Sequence, residues 1–332
     1  TVSRVINDHP NVRDEVRERV SDVIRQQDFH PNTAARALAK NRSQILGLVI
    51  PQAIASVFAD PYFPILIQGV AAACDQRGYY LMLSLVRSHS SDVYRKMIRG
   101  GHLDGVIVAS AFLDSSFLRR LNDDRFPFVL IGHQPDMPEI NCVDSDNARG
   151  AMVAAQHLAR LGYSRIATIT GPLTMVSARD RYEGFLKGLA VSSLSVPDAL
   201  IAEGDFSEQG GYYAMQRLLE LPLAQRPEAL FVASDAMAAG ALRALRAAGL
   251  RVPDDVAVVG FDDTPVATTL EPSLTTIRQP IEQLGFTAAS VLINALERGS
   301  EEATPQRIVL PTELIIRESC GHMRLFRTPR SR

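Results

Sequence analysis

The chain has no tryptophan, only three cysteines and no long apolar run, and each scarcity removes a class of protein. Cys74, Cys142 and Cys320 are scattered, odd in number and free of CxxC spacing, so neither a disulfide framework nor a zinc site is indicated and they read as packing thiols. No stretch approaches the roughly 20 apolar residues of a membrane-crossing helix. No basic-then-apolar segment opens the chain as a secretory signal would, so a cytoplasmic location is expected. Walker, GxGxxG, HExxH and GxSxG motifs are all missing, and with them the usual signatures of nucleotide, metal and ester-cleaving chemistry. No catalysis, cofactor or metal is therefore expected.

What is present is 332 residues, 46% hydrophobic and 22% charged, enough to bury a sizeable core in more than one domain. The net charge is −2, but it divides unevenly. Residues 1–44 carry eight Lys/Arg against six Asp/Glu, a mildly basic head on an acidic body. The chain opens on Thr1-Val2-Ser3-Arg4-Val5-Ile6-Asn7 without an initiator methionine, as though in mid-helix, and a segment upstream is expected. After the turn residues Asp8 to Asn11, Val12, Val16, Val20, Val23 and Ile24 recur at helical spacing. This predicts an amphipathic helix with one buried stripe, Asn11 as its N-cap and an acidic pair in its first turn. Pro31-Asn32-Thr33 starts a short Ala-rich helix ending near Lys40, too short to be stable alone.

From Ile45 onward apolar strands alternate with helical segments, which predicts an α/β fold with parallel sheets covered on both faces. Strands are expected at Ile45–Ile50, Tyr80–Leu85, Gly105–Ala109, Phe128–Ile131, Ile166–Thr170, Ala229–Ala233 and Val256–Gly260. Helices are expected at Phe63–Arg77, Asn147–Leu161, Arg179–Leu189, Glu208–Leu219, Asp235–Ala248 and Ile281–Arg298. Gly78, Gly162 and Gly249 each follow a helix where a left-handed C-cap is wanted. The pattern occurs twice, around residues 45–143 and 144–278, so two similar lobes with a cleft between them are expected. Ligands would then sit at the carboxyl ends of the strands.

TVSRVIN, the valines in register, Phe29-His30-Pro31-Asn32-x-x-Ala35-Arg36-x-Leu38 and the strand Ile45-Leu46-Gly47-Leu48-Val49-Ile50-Pro51 together resemble the LacI/GalR family of bacterial transcription regulators. The resemblance continues through almost the whole chain. It implies a periplasmic-binding-protein-like body of two lobes, preceded by a helix-turn-helix head that here lacks its first helix and turn. On this basis residues 1–31 are the partial DNA-binding head and 32–44 the hinge helix and linker. Residues 45–320 form the effector-binding and dimerisation domain, and 321–332 a short basic tail. Within the body, lobe 1 is placed at about 45–143 and 280–304 and lobe 2 at about 144–279 and 305–320, with the strand near Arg307–Leu310 finishing lobe 2.

Thr1, Ser3, Arg4 and Asn7 offer short polar and guanidinium groups suited to base edges and phosphates in a major groove. Val2, Val5 and Ile6 would face the small core, the alternative being an exposed fraying terminus. Arg36 and Asn32 are placed by the resemblance on backbone phosphates, and Leu38 as the apolar wedge of a minor-groove kink.

For the cleft, the loop from Gly171 through Ser177 to Phe185 follows a strand and opens a helix. Arg181 matches the family's ligand-holding arginine, its fork suited to vicinal hydroxyls or a carboxylate, with Arg179 a neighbouring alternative and a surface ion pair the plain reading for either. Asp262 matches the family's ligand-binding aspartate, whereas Asp235 reads as an N-cap. Ser234 stands where sugar binders commonly have asparagine, and Phe206 where members place an aromatic ring. Tyr62 and Phe63 could line the first lobe or belong to its core, and Gln279 lies at a crossover. Met175 replaces the arginine expected of a purine sensor, and Gly132-His133 replaces the aspartate of lac-like members. His133 could supply a polar contact or be an incidental loop residue.

The reading that results is a dimeric, effector-responsive repressor on palindromic operator DNA, sensing a sugar or sugar derivative. The alternative is a solute-binding protein of the same fold without DNA binding. The tail, broken by Pro329 and without leucine heptads, offers no tetramerising coiled coil.

Overall fold

Strands such as Ile45–Ile50 and Gly105–Ala109 have no polar alternation, so both faces must be covered, and the intervening helices supply that cover. The computed structural model describes residues 2–6, 10–27, 42–50, 58–85, 98, 102–109, 116–298 and 304–322. The head contributes α1 (Val2–Ile6) and α2 (Asp14–Gln26). The first lobe then begins with β1 (Ile45–Ile50), α3 (Tyr62–Gln76), β2 (Tyr80–Leu85), β3 (Gly105–Ala109), α4 (Ser116–Asp123), β4 (Phe128–Ile131) and β5 (Cys142–Ser145). The second lobe holds α5 (Asn147–Arg160), β6 (Ile166–Thr170), α6 (Val176–Val191), β7 (Ile201–Glu203) and α7 (Glu208–Leu219). It continues with β8 (Ala229–Val232), α8 (Asp235–Ala247), β9 (Ala257–Asp262), α9 (Pro265–Thr269) and β10 (Thr275–Arg278). Last come α10 (Ile281–Arg298), β11 (Arg307–Leu310) and β12 (Glu313–Ile315).

The first sheet is ordered β11-β5-β4-β3-β1-β2 and the second β12-β10-β9-β8-β6-β7. Pairing is parallel throughout, except that β12 runs antiparallel to β10. Each sheet has an apolar cluster on either face, and Val176 at the start of α6 is buried in a cluster of the first lobe. The chain crosses between the sheets after Ser145, after Gln279 and between Leu310 and Glu313. Arg307–Leu310 corrects an expectation. It does not finish the second lobe: it pairs with Cys142–Ser145 at the edge of the first sheet, and only Glu313–Ile315 joins the second.

Gly78, Gly162 and Gly249 take positive φ angles of 69°, 90° and 71° where each helix ends. Several boundaries shift. β9 extends to Asp262, and α6 begins at Val176 rather than Arg179, bringing Ser177 and Arg181 into its first turns. The elements that periodicity missed are short: β5, β7, β10, β12, α4 and α9 each hold three to eight residues.

The head departs from its expected stripe. Val5 and Val12 are buried, but Val2, Val16 and Val23 are exposed and Val20 and Ile24 only half-buried. One five-residue helix cannot cover the face of a 13-residue one. Arg13, not Asn11, occupies the N-cap position and makes no side-chain cap, while Asp14 and Glu15 do stand in the first turn. Thr1, Asn7, Asn32, Arg36 and Leu38, the Ala-rich helix, and the side chains of Ser3 and Ile6 lie outside the described residues. Arg4 is exposed on α1. The chain enters the body firmly: the Asp104 carboxylate accepts from Ser43 N (2.6 Å), Ser43 Oγ (2.8 Å) and Gln44 N (2.9 Å) just before β1. Among the described residues no helix is long and apolar enough to cross a membrane.

α3 and α10 pack on the first sheet at glycine-mediated contacts, because a Cβ on Gly69 would run into the Glu282 carbonyl and one on Gly285 into that of Leu66. Helices this close cannot absorb a methyl group without moving apart. Gly69→Ala is expected to cost about 1–3 kcal/mol, lowering the melting temperature by several degrees in a calorimetric scan. An unchanged melting temperature would show that the contact is looser than described.

Candidate functional site

The strand ends of the two sheets meet around a cavity of about 290 Å³. Arg181, Asp262, Phe206, Ser177, Met175, Tyr62, Phe63 and Gln279 all lie on its wall. The sequence alone did not single out Asp60, Asp144, Asn147, Asp205, Ser207 or Glu208, which line it too. All but Asp144, which lies on β5, are polar residues in loops or helix first turns, where capping is the ordinary role, and Ser207 does cap α7 through Gly210 N.

Arg181 is 6% exposed, so its charge must be met inside the protein. Its Nε donates to Asn147 Oδ1 (2.8 Å), and one Nη donates to both the Ala233 carbonyl (2.5 Å) and Asp262 Oδ1 (3.3 Å). The guanidinium also stacks 3.8 Å from the centroid of the Phe261 ring. Gln279 donates from Nε2 to the same Asp262 oxygen (2.5 Å) and accepts from Ser145 Oγ (2.8 Å). Asn147 in turn donates to Asp144 Oδ1 (3.0 Å). Arg179, by contrast, is half-exposed and paired with Glu183 one turn along, the plain surface arrangement. Asp262 and Phe206 both hold positive φ angles, 120° and 66°, in which L-residues rarely sit. The Phe206 ring fills the space that a Cβ on Gly171 would take.

Three residues are placed otherwise than expected. Ser234 is not on the cavity wall; its Oγ caps α8 by accepting from Met237 N (3.2 Å). Asp235 is therefore not the cap. It is fully buried, accepting from Thr264 N (2.8 Å) and Thr276 Oγ1 (2.6 Å), and holds β10 and the loop after β9 together. His133 is also off the wall: its Nδ1 lies 2.9 Å from Asp144 Oδ2 and 3.6 Å from Asp180 Oδ2, so it links the loop after β4 to α6 of the other lobe. The hydrogen bond to Asp144 raises its pKa. His133, Asp144 and Asp180 could by donor type approach a metal ion, but one hydrogen bond, between His133 and Asp144, and the charge contact of His133 with Asp180 account for the cluster.

Burial pushes Asp262 up to about 7 despite Arg181, and pushes Asp180 to about 6; Asp60 and Asp235 are raised by burial as well. Tyr62 and Phe63 meet edge to face with centroids 5.3 Å apart, and burial also raises the Tyr62 hydroxyl. The cavity thus offers hydrogen-bond acceptors, one guanidinium and aromatic surfaces.

Comparison with known proteins agrees with this geometry. The family model for bacterial regulatory proteins, lacI family, matches residues 1–32, and that for a periplasmic binding protein-like domain matches residues 155–320. The HTH-type transcriptional regulator CelR of Thermobifida fusca is 38% identical over 322 residues, covering 96% of this chain and 94% of that protein. The ribose operon repressor of Escherichia coli K12 is 33% identical over 324 residues, covering 96% of this chain and 95% of that protein. Among solved structures, a transcriptional regulator CelR–cellobiose complex matches with a TM-score of 0.79 at 36% identity, covering 96% of this chain and 95% of that one. The lac repressor dimer bound to operator and an anti-inducer matches with a TM-score of 0.83 at 28% identity, covering 96% and 94%.

A carboxyl whose pKa is raised on folding favours the folded state fully only while both states are protonated. From its unfolded value of about 3.9, stability falls as pH rises and levels off above the folded value. With Asp262 at about 7, the protein without ligand is expected to lose stability between about pH 4 and 7. Asp262→Asn should flatten that slope in urea titrations across the range, and an undiminished slope would mean that Asp262 is ionised at little cost.

Proposed function

This chain belongs to the lacI family of bacterial regulatory proteins, and on that premise we propose that it is an effector-responsive, sequence-specific DNA-binding repressor whose effector is a carbohydrate held in the inter-lobe cavity. The observation that carries this reading is the buried Arg181–Asp262 pair. It stands on the cavity wall and is hydrogen-bonded to Asn147 and Gln279, residues that flank two of the passages between the sheets. A ligand hydroxyl that engages the pair is thereby tied to the segments about which the lobes turn. The cellobiose in the related CelR complex supports a disaccharide of this kind as the first candidate.

In this reading residues 1–31 form the head, 32–44 the hinge and 45–320 the regulatory body. The protein works as a homodimer on a palindromic operator in the cytoplasm and catalyses no reaction. Thr1, Ser3, Arg4, Asn7, Asn32 and Arg36 serve the DNA, and Leu38 opens a base step in its minor groove. Effector binding alters the angle between the lobes and so the spacing of the two hinge segments across the dimer. The relatives are a transcriptional regulator and an operon repressor, which supports regulation over catalysis.

A thermal-shift screen over cellobiose, ribose, galactose and purines tests the effector assignment. At about a hundred times its dissociation constant a ligand stabilises by about 2.7 kcal/mol, a shift of several degrees. A carbohydrate is expected to give that shift and to change affinity for an operator selected from random duplexes, with Arg181→Ala abolishing both effects. A purine alone shifting the protein, or a carbohydrate shift that survives Arg181→Ala, would contradict the assignment.

A further inference from the structure

Five carboxylates, Asp60, Asp144, Asp205, Glu208 and Asp262, stand on the cavity wall with a single guanidinium, Arg181. Three of the five have cationic or potentially cationic partners. Asp262 has Arg181 at 3.3 Å, Glu208 has Arg243 at 2.7 Å, and Asp144 has His133 at 2.9 Å. Asp60 and Asp205 have no ion-pair partner among the described residues. Asp60 comes from the loop before α3 in the first lobe, and Asp205 from the loop after β7 in the second. Each is held by short local hydrogen bonds through one oxygen, Oδ1. For Asp60 the donor is Tyr62 N (3.0 Å); for Asp205 they are Ser207 N (2.9 Å) and Ser207 Oγ (2.6 Å). Neither Oδ2 makes a hydrogen bond among the described residues.

The consequence follows from the valence of a carboxylate, which when ionised accepts hydrogen bonds and donates none. A ligand reaching either free oxygen must bring a hydrogen, as a hydroxyl does, or a positive charge. A phosphate or carboxylate at Asp60 would face like charge in a partly desolvated space, where repulsion between groups a few ångströms apart is far stronger than in water; at the exposed Asp205 the same repulsion is weaker. The one guanidinium on the wall, Arg181, already shares its charge with Asp262 through Nη1 and so cannot offset five carboxylates as well as an incoming anion.

We propose that Asp60, seconded by Asp205, is the specificity-determining residue of this cleft and that it restricts the effector to a polyol without anionic groups, refusing sugar phosphates and sugar acids. The inference rests on the carbohydrate reading above and adds to it which charge class the site accepts. Asp60 acts from the first lobe and Asp262 from the second, so such a polyol also closes the cleft by taking one acceptor from each side.

The test uses matched neutral and anionic sugars: glucose with glucose 6-phosphate and glucuronate, ribose with ribose 5-phosphate, and cellobiose with its uronic-acid analogue. Dissociation constants are measured by calorimetry for the full chain. For any pair that binds, the neutral member is expected to bind at least about tenfold more tightly, a difference of about 1.4 kcal/mol. Asp60→Asn keeps the shape and the acceptor for Tyr62 N, and is expected to narrow the ratio at least about threefold, with Asp60→Asn/Asp205→Asn narrowing it further. A purely structural role for Asp60 would weaken both members of a pair alike. An anionic sugar that binds as tightly as its neutral partner, or a ratio unmoved in both variants, overturns the proposal and leaves the carbohydrate reading standing. Failure of every member of every pair to bind overturns both.

Discussion

A guanidinium and a carboxylate buried at the mouth of the second sheet set the terms for the rest of the molecule. Taking two charges out of water costs several kcal/mol per ion, and attraction between them recovers this only when every remaining donor and acceptor is met. Arg181 Nε and Nη1 and Asp262 Oδ1 do this with Asn147, the Ala233 carbonyl and Gln279, and the guanidinium lies over the face of Phe261. Each partner comes from a different element, so β8, β9, α5, α6 and the segment after β10 must all be in register for the pair to exist. The positive φ of Asp262 turns its carboxylate into the cavity at the last residue of β9, a backbone cost that only such a network would sustain.

The same network explains how the cavity and the lobe geometry are joined. Ser145 ends the last strand before the first crossing and Gln279 precedes the second, and they hydrogen-bond to each other (2.8 Å) while Gln279 holds Asp262. Asn147 opens α5 directly after the first crossing, between Asp144 and Arg181. A ligand competing for Asp262 or Arg181 perturbs the two crossing segments without any intermediary. His133 adds a contact outside the cavity, bridging Asp144 of the first sheet to Asp180 next to Arg181 on α6. The cavity wall and the two crossing segments are thus joined by a few hydrogen bonds, which suits a two-state change in lobe angle.

Much of this was legible in the sequence because it follows from local rules. Parallel β1, β3 and β4 announce themselves as uninterrupted apolar runs, and the capping glycines fall where left-handed backbone is needed. Arg181 and Asp262 were legible through family resemblance and the position of each beside a strand end. Other features depend on tertiary context and carry no local signal. β5, Cys142-Val143-Asp144-Ser145, is half polar because its end serves the cavity network, so alternation and run length both miss it. Arg307–Leu310 could have closed either sheet by its composition; only the register opposite Cys142–Ser145 decides it. Ser234 takes the cap expected of Asp235 because Asp235 is held by Thr264 and Thr276, far along the chain. The head's valine stripe matches a helix in period, yet periodicity cannot say whether a partner is there to cover it.

The most direct test is a crystal structure of the protein with the carbohydrate that binds it best. The account requires electron density for the sugar between the lobes, with hydroxyl groups on the Arg181 guanidinium and the Asp262 carboxylate and Gln279 still bridging Asp262 to Ser145. A sugar seated elsewhere on the molecule, or one in the cavity that touches neither Arg181 nor Asp262, would contradict it.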